Sequence, residues 1–290
     1  MPSDFLICDY ISDIKDILSL SRDKREGSLH KYIYGLRRLN YRHFQKSLSV
    51  EQTAGKLLES GWRKRVRNFD PNQWHKTMHM VYRRTSKILP TPPKPELVLF
   101  PSFGRFNGRV YRLHKKPVIA CAPDFPRCSG NNLKVLLAHE YAHYIRWQKT
   151  GIPSDDSAIY RMIFEEGWAV MLSRMILPEL SLNEILMANL HGLINMPNPR
   201  GGYLTWCRKN FLQIINTSRR VLKSKRHEDL GMLFQCRRFS TDISPIRVGY
   251  YLGYRLIEAL VNNMSLEELM IQRPTFRKVS KWLDRLEASL

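Results

Sequence analysis

Residues 133–150 read LKVLLAHEYAHYIRWQKT and contain the order His139-Glu140-x-x-His143. Residues four apart on an α-helix project from nearly the same face, so both imidazoles reach one ion. Glu140, one step round, leans toward a water on that ion without binding the ion itself. A zinc-activated water needs this arrangement: two nitrogen ligands, and a carboxylate base beside the open coordination position. Leu133, Leu136, Leu137, Ala138 and Ala142 flank the motif and imply a buried helix. Two buried imidazoles and a carboxylate are costly without partners, and a metal ion satisfies them. A pair of hydrogen-bonded core histidines is the bland alternative.

A third ligand is required. The next helix is predicted to begin at Ser154, with Asp155 and Asp156 in its first turn, and to run through IYRMIFEEGWAVMLSRMIL. Glu166 follows His143 after 22 intervening residues, a spacing that a helical hairpin closes. Directly before Gly167, it is the expected ligand, with Glu165 as the alternative and a solvated surface role for whichever is not bound. Gly167 and Ala169 let the helices pack closely there.

The elements that must carry these side chains are legible in outline. Residues 1–90 read as helical, with apolar residues at helical spacing in Ile11, Ile14, Leu18 and in Leu29, Ile33, Leu36, Leu39. A helix is expected from the cap Asp70 and Pro71 to about Ile88. The run LPTPPKP, residues 89–95, cannot continue a helix, because proline fixes φ and lacks a donor. It divides a helical N-terminal region, 1–90, from a second domain, 91–290. Beyond it ELVLF (96–100), RVYRL (109–113) and PVIAC (117–121) predict a small antiparallel sheet. From Asn131 onward the pattern is helical, with Asn131 and Asn132 as candidate caps of an amphipathic metal helix. The fold class expected is α+β, mainly α.

Composition bounds the function. The 290 residues hold 47 Lys+Arg against 26 Asp+Glu, a formal net charge of +21, and 43% are hydrophobic. That apolar content builds a core and excludes a mostly disordered chain. Residues 1–90 carry 18 basic and 9 acidic side chains, 91–180 carry 12 and 8, and 181–290 carry 17 and 9. The flanks therefore hold most of the excess, and runs such as RKRVR (63–67) and RRVLKSKR (219–226) favour nucleic acid or another polyanion as a possible partner. Trp62 and Trp74, near the first run, either stack on bases or pack the helices, and packing is the expectation. His75 and His79 are also four apart but lack a carboxylate between them, so a surface helix is expected. Five cysteines with no Cys-x-x-Cys pair fit free thiols rather than a disulfide framework or a thiolate zinc site. The opening MPSDFLICDY lacks a long apolar run, and no segment approaches the roughly 20 apolar residues of a membrane helix. A cytoplasmic location is the expectation.

LLAHEYAHYIR followed by EEGWAV resembles the gluzincin group of zinc peptidases, the clan of thermolysin and the aminopeptidases. Within it the chain is similar to the predicted zinc-dependent proteases with an HEYxH motif, whose Gly-Tyr-rich helix PIRVGYYLGYRLIEAL (245–260) resembles. The likeness covers roughly residues 95–262. A phage-repressor-cleaving type of metallopeptidase shares the two-helix pattern, but the Gly-Tyr stretch favours the first. The resemblance implies a zincin-like fold, a Zn2+ cofactor on His139, His143 and Glu166, and Glu140 as general base in hydrolysis of a peptide or protein substrate. It further implies an oxyanion donor, for which Tyr250 is the candidate and Tyr251 and Tyr254 the rivals. That helix is expected to open at Ser244-Pro245, with Gly249 and Gly253 bringing it close to the metal helix. Strand 118–121 is expected to pair with extended substrate. One departure stands out: where thermolysin-like enzymes hold an aspartate four residues after the glutamate ligand, this chain has Val170. Exopeptidase motifs that grip a substrate amine are not evident.

Overall fold

A computed structural model describes residues 6–38, 60–101, 107–113, 116–125, 129–153, 158–188, 202–234 and 246–290. Among them the fold is α+β and mainly α. Strands β1 (Leu6–Asp9), β2 (Leu97–Leu99), β3 (Gly108–Leu113) and β4 (Lys116–Cys121) form one sheet in the order β1-β2-β4-β3. Helices α1 (Tyr10–Ser19), α2 (Arg22–Arg38), α3 (Ser60–Arg67) and α4 (Pro71–Thr85) fall between β1 and β2 in the chain. After the sheet come α5 (Gly130–Thr150), α6 (Ile159–Ile176), α7 (Leu182–Ala188), α8 (Tyr203–Lys209), α9 (Phe211–Arg220) and α10 (His227–Phe234). Helices α11 (Val248–Leu260), α12 (Leu266–Ile271) and α13 (Phe276–Ala288) complete it.

The sheet is mixed rather than wholly antiparallel. β3 and β4 form the expected antiparallel hairpin, with Gly108 opposite Cys121 and Leu113 opposite Lys116. β2 runs parallel to β4, with Leu97, Val98 and Leu99 against Ile119, Ala120 and Cys121. β1 runs parallel to β2. Parallel neighbours need a long crossover, and the N-terminal helices supply it. β1 is four residues of LICD, too short for a local pattern, and pairing with β2 makes it a strand. β4 is internal, so its backbone is committed to two ladders and cannot take up an extended peptide as expected. The sheet ends in β1 on one side and in β3 on the other.

Side chains alternate across the sheet. Leu97, Leu99, Val110, Ile119 and Cys121 enter the main apolar core, while Val98, Phe100, Leu113, Val118 and Ala120 form a small second cluster on the other face. The main core also takes in Ile11, Trp62, Trp74, Leu137, Trp168 and Leu283. Thus segments before and after the proline run share one sheet and one core. Trp62 and Trp74 are buried, as packing groups. Trp62 Nε1 donates to the buried Asp124 carboxylate at 2.9 Å, tying α3 to the turn before α5.

Helix α5 departs from the amphipathic expectation. Every residue from Val135 to Trp147 is buried, so it is a central helix covered on all sides. Its N-cap position is Ser129 rather than Asn131 or Asn132, and it ends at Gly151, left-handed with φ 72°. Tyr141 and Tyr144 on this helix donate to the carbonyls of Pro93 and Lys94 at 2.6 and 2.9 Å. The proline run keeps its acceptors although it has lost donors, and these two phenols hold it against α5. Asp70 caps α4 by accepting from Asn72 N, as expected. Cys121 and Cys207 are buried free thiols. Leu39, Cys128, Ser154, Asp155, Asp156, Cys236, Ser244 and Pro245 lie outside the described residues.

Candidate metal centre

Three elements meet at the site: α5, α6 and α11. His139 and His143, one turn apart on α5, turn their Nε2 atoms toward each other at 3.2 Å, with ring planes at 81°. Glu166 of α6 places Oε2 3.1 Å from His139 Nε2 and 3.5 Å from His143 Nε2. All three residues are buried. Four ligands at about 2.05 Å from a tetrahedral zinc lie about 3.3 Å from one another. The three observed separations therefore outline one face of such a tetrahedron, which leaves a fourth corner open. Glu166 Oε2 has no hydrogen-bond partner although it is buried, so a cation is the group that fits this cradle. Among the described residues these three form the cluster that could hold a metal, and His75 and His79 do not belong to it.

The electrostatics point the same way. Burial works against charge on Glu166, yet the charge of His143 holds its carboxyl well below the usual range. Burial likewise opposes charge on His143, but Glu166 outweighs it and pushes the imidazole up to about 9. The carboxylate thus stays ionised only by drawing positive charge between itself and the imidazoles, the place a divalent ion takes. Glu140 is buried beside the cluster and outside the ligand set, and burial raises its pKa. A raised carboxylate is better matched to taking a proton near neutrality.

The triad matches the HExxH…E gluzincin motif in geometry, and with Glu140 unliganded it is consistent with a zinc-activated-water mechanism. It supports a zinc metallopeptidase assignment. Glu165 is neither ligand nor solvated. Its two oxygens accept from Arg146 Nε and Nη2, each at 2.8 Å, in a buried pair. The remaining Arg146 donors reach the carbonyls of Leu269, Met270 and Gln272 at 2.6 to 2.9 Å. Sequence reasoning missed this clamp. An arginine three residues after His143, on a helix buried all round, was its one available signal.

The close backbone contact of helix α11 is with α6 rather than with α5. A Cβ on Gly253 would lie 2.3 Å from Ile163 O, and one on Gly167 would lie 2.2 Å from Gly253 O. The two glycines are therefore a backbone-to-backbone contact that seats α11 against the residue after Glu166. Gly249 faces Phe234 and Leu233 of α10 instead. This contact brings Tyr250 to the centre, its ring stacked 5.8 Å from His139. Burial and then the Glu166 charge hold the Tyr250 phenol well above its usual pKa, so it stays a donor. The rivals point elsewhere: the Tyr251 hydroxyl accepts from Arg255 at 3.3 Å and Tyr254 donates to Glu258 at 2.6 Å.

Val170 is buried, and His143 Nδ1 finds no hydrogen-bond partner, so the aspartate absent from that position is not replaced for this imidazole. Gly108 opens β3 against the site, where a Cβ would come within 2.9 Å of Glu140 Cγ. No protein-family model, no curated protein and no solved structure matches the chain.

Proposed function

We propose that the protein is a zinc-dependent peptidase of the gluzincin type, with His139, His143 and Glu166 as metal ligands. The observation that carries this reading is the triangle of three buried ligand atoms, 3.2, 3.1 and 3.5 Å on its sides, with Glu140 beside it and uncoordinated. When bound, zinc supplies a water acidified toward a pKa of about 7 and a Lewis acid for the substrate carbonyl. Glu140 accepts the proton of the attacking water and returns it to the departing amine. Tyr250 donates a hydrogen bond to the oxygen on which charge develops, a role its protonated phenol and its place against His139 support. Extended substrate lies along β3, an edge strand whose first residue, Gly108, leaves no room for a Cβ beside Glu140.

Metal analysis and a paired variant test the reading. The purified protein is expected to hold close to one zinc per chain, and His139→Ala to lose it. Glu140→Gln keeps the metal and loses hydrolysis by about 10²-fold or more. A wild-type zinc content near zero, or an undiminished rate in Glu140→Gln, contradicts the assignment.

A polyanion partner is a separate proposal, supported by α3 and α4. Residues 60–90 hold eight basic side chains and one acidic, and Lys64, Arg67, Lys76, Arg83 and Lys87 are exposed. The tryptophans there are buried, so contact would be to phosphates rather than to bases. Binding to duplex DNA that weakens steeply with salt supports it, and no binding at low salt rejects it. No described helix is long and apolar enough to cross a membrane.

A further inference from the structure

Arg247 stands at the start of α11 with φ 57° and ψ 32°, a left-handed conformation that a residue with a Cβ rarely adopts. Its side chain makes no cap to the helix. Its carbonyl is held twice, accepting from the Tyr203 hydroxyl at 2.9 Å and from Tyr250 N at 3.1 Å. The strained backbone is thus locked from below, and what it presents is the guanidinium. Cζ lies 5.4 Å from the centre of the Tyr250 ring, the same ring that stacks on His139. Nε is buried with no hydrogen-bond partner, and among the described residues no carboxylate forms an ion pair with this guanidinium. The positive charge of Arg109 on β3 also acts on Glu140.

We propose that Arg247 binds a carboxylate of the substrate next to the scissile bond, which makes peptides that carry a carboxylate at that place the preferred substrates. The inference rests on the peptidase reading above. A planar fork of donors matches a carboxylate in two parallel hydrogen bonds, which an ammonium cannot do. The strain at residue 247 is then explained by function: it holds the guanidinium over Tyr250, the ring that stacks on His139. The carboxylate has two sources, an acidic side chain or the free C-terminus of a peptide.

Two sets of peptides separate these sources. One set contains internal Glu/Gln matched pairs with both ends blocked, and the other contains matched free and amidated C-termini. The zinc-loaded protein is assayed on both sets by mass spectrometry, and the same peptides are titrated calorimetrically into Glu140→Gln. The carboxylate form of one set is expected to be favoured roughly tenfold in cleavage and in binding. Arg247→Asn, which tolerates the left-handed backbone, is expected to keep its Tm and abolish the preference, and Arg247→Lys to restore only part of it. A preference below about twofold in both sets, or one that persists in Arg247→Asn, overturns the inference. A protein that cleaves none of the peptides refutes the peptidase reading instead, and the calorimetric comparison still decides the role of Arg247.

Discussion

Two adjacent carboxylates, Glu165 and Glu166, do opposite work because a helix turns about 100° between them. Glu166 points into the cluster of imidazoles, while Glu165 points back to Arg146 on the same neighbouring helix. Removing each therefore has a distinct signature. Glu166→Ala should lower zinc affinity by more than about 100-fold, beyond what loss of a supporting contact costs, as read by competition with a chromogenic chelator. Glu165→Ala leaves a buried guanidinium without its counter-ion, and should cost about 3–5 kcal/mol in urea unfolding while the folded fraction keeps its zinc. The two histidines, Glu140 and a glutamate ligand at position 165 or 166 were legible from residue type and spacing alone. The choice between Glu165 and Glu166 was not, since it depends on which face of α6 meets α5, and that is a packing fact. The role of Val170 was readable as a missing aspartate, and the orphaned His143 Nδ1 is its physical counterpart.

Elements reach the site through glycines. Gly167 and Gly253 let two helix backbones touch, and neither has room for a methyl group. Because the obstacle is backbone rather than a movable side chain, Gly253→Ala should destabilise by about 3 kcal/mol and draw Tyr250 off His139. Thermal unfolding and the loss of activity should move together in that variant. Gly108→Ala differs: its new methyl meets Leu136 Cδ1 at 2.8 Å and Glu140 Cγ, groups that can shift. It should leave zinc content intact and lower kcat/KM by about 10²-fold, through displacement of the base. The sequence showed that glycines on α11 mark close approach, but not that the partner is α6. Likewise the hairpin β3–β4 could be read from local pattern, whereas the parallel pairing of β1 with β2 joins residues some 90 apart and leaves no local trace.

At the scale of the whole molecule, one core cluster among the described residues takes in Ile11 through Leu286, and the candidate metal centre is buried beside it. Ion binding should therefore appear as global stability. With free zinc at about 1,000 times its Kd the native state gains about 4 kcal/mol, and at this chain length chelation should lower Tm by roughly 8 °C in scanning calorimetry. An unchanged Tm after complete metal removal contradicts a centre built into the core. Arg146 adds a further dependence. Its guanidinium is bonded at once to the carboxylate preceding Glu166 and to three carbonyls between Leu269 and Gln272. Occupancy of the centre and seating of residues 269–272 should therefore be linked through this one guanidinium. Loading with ion should slow amide exchange around residues 269–272, and by reciprocity any agent that peels that segment away must loosen the ion.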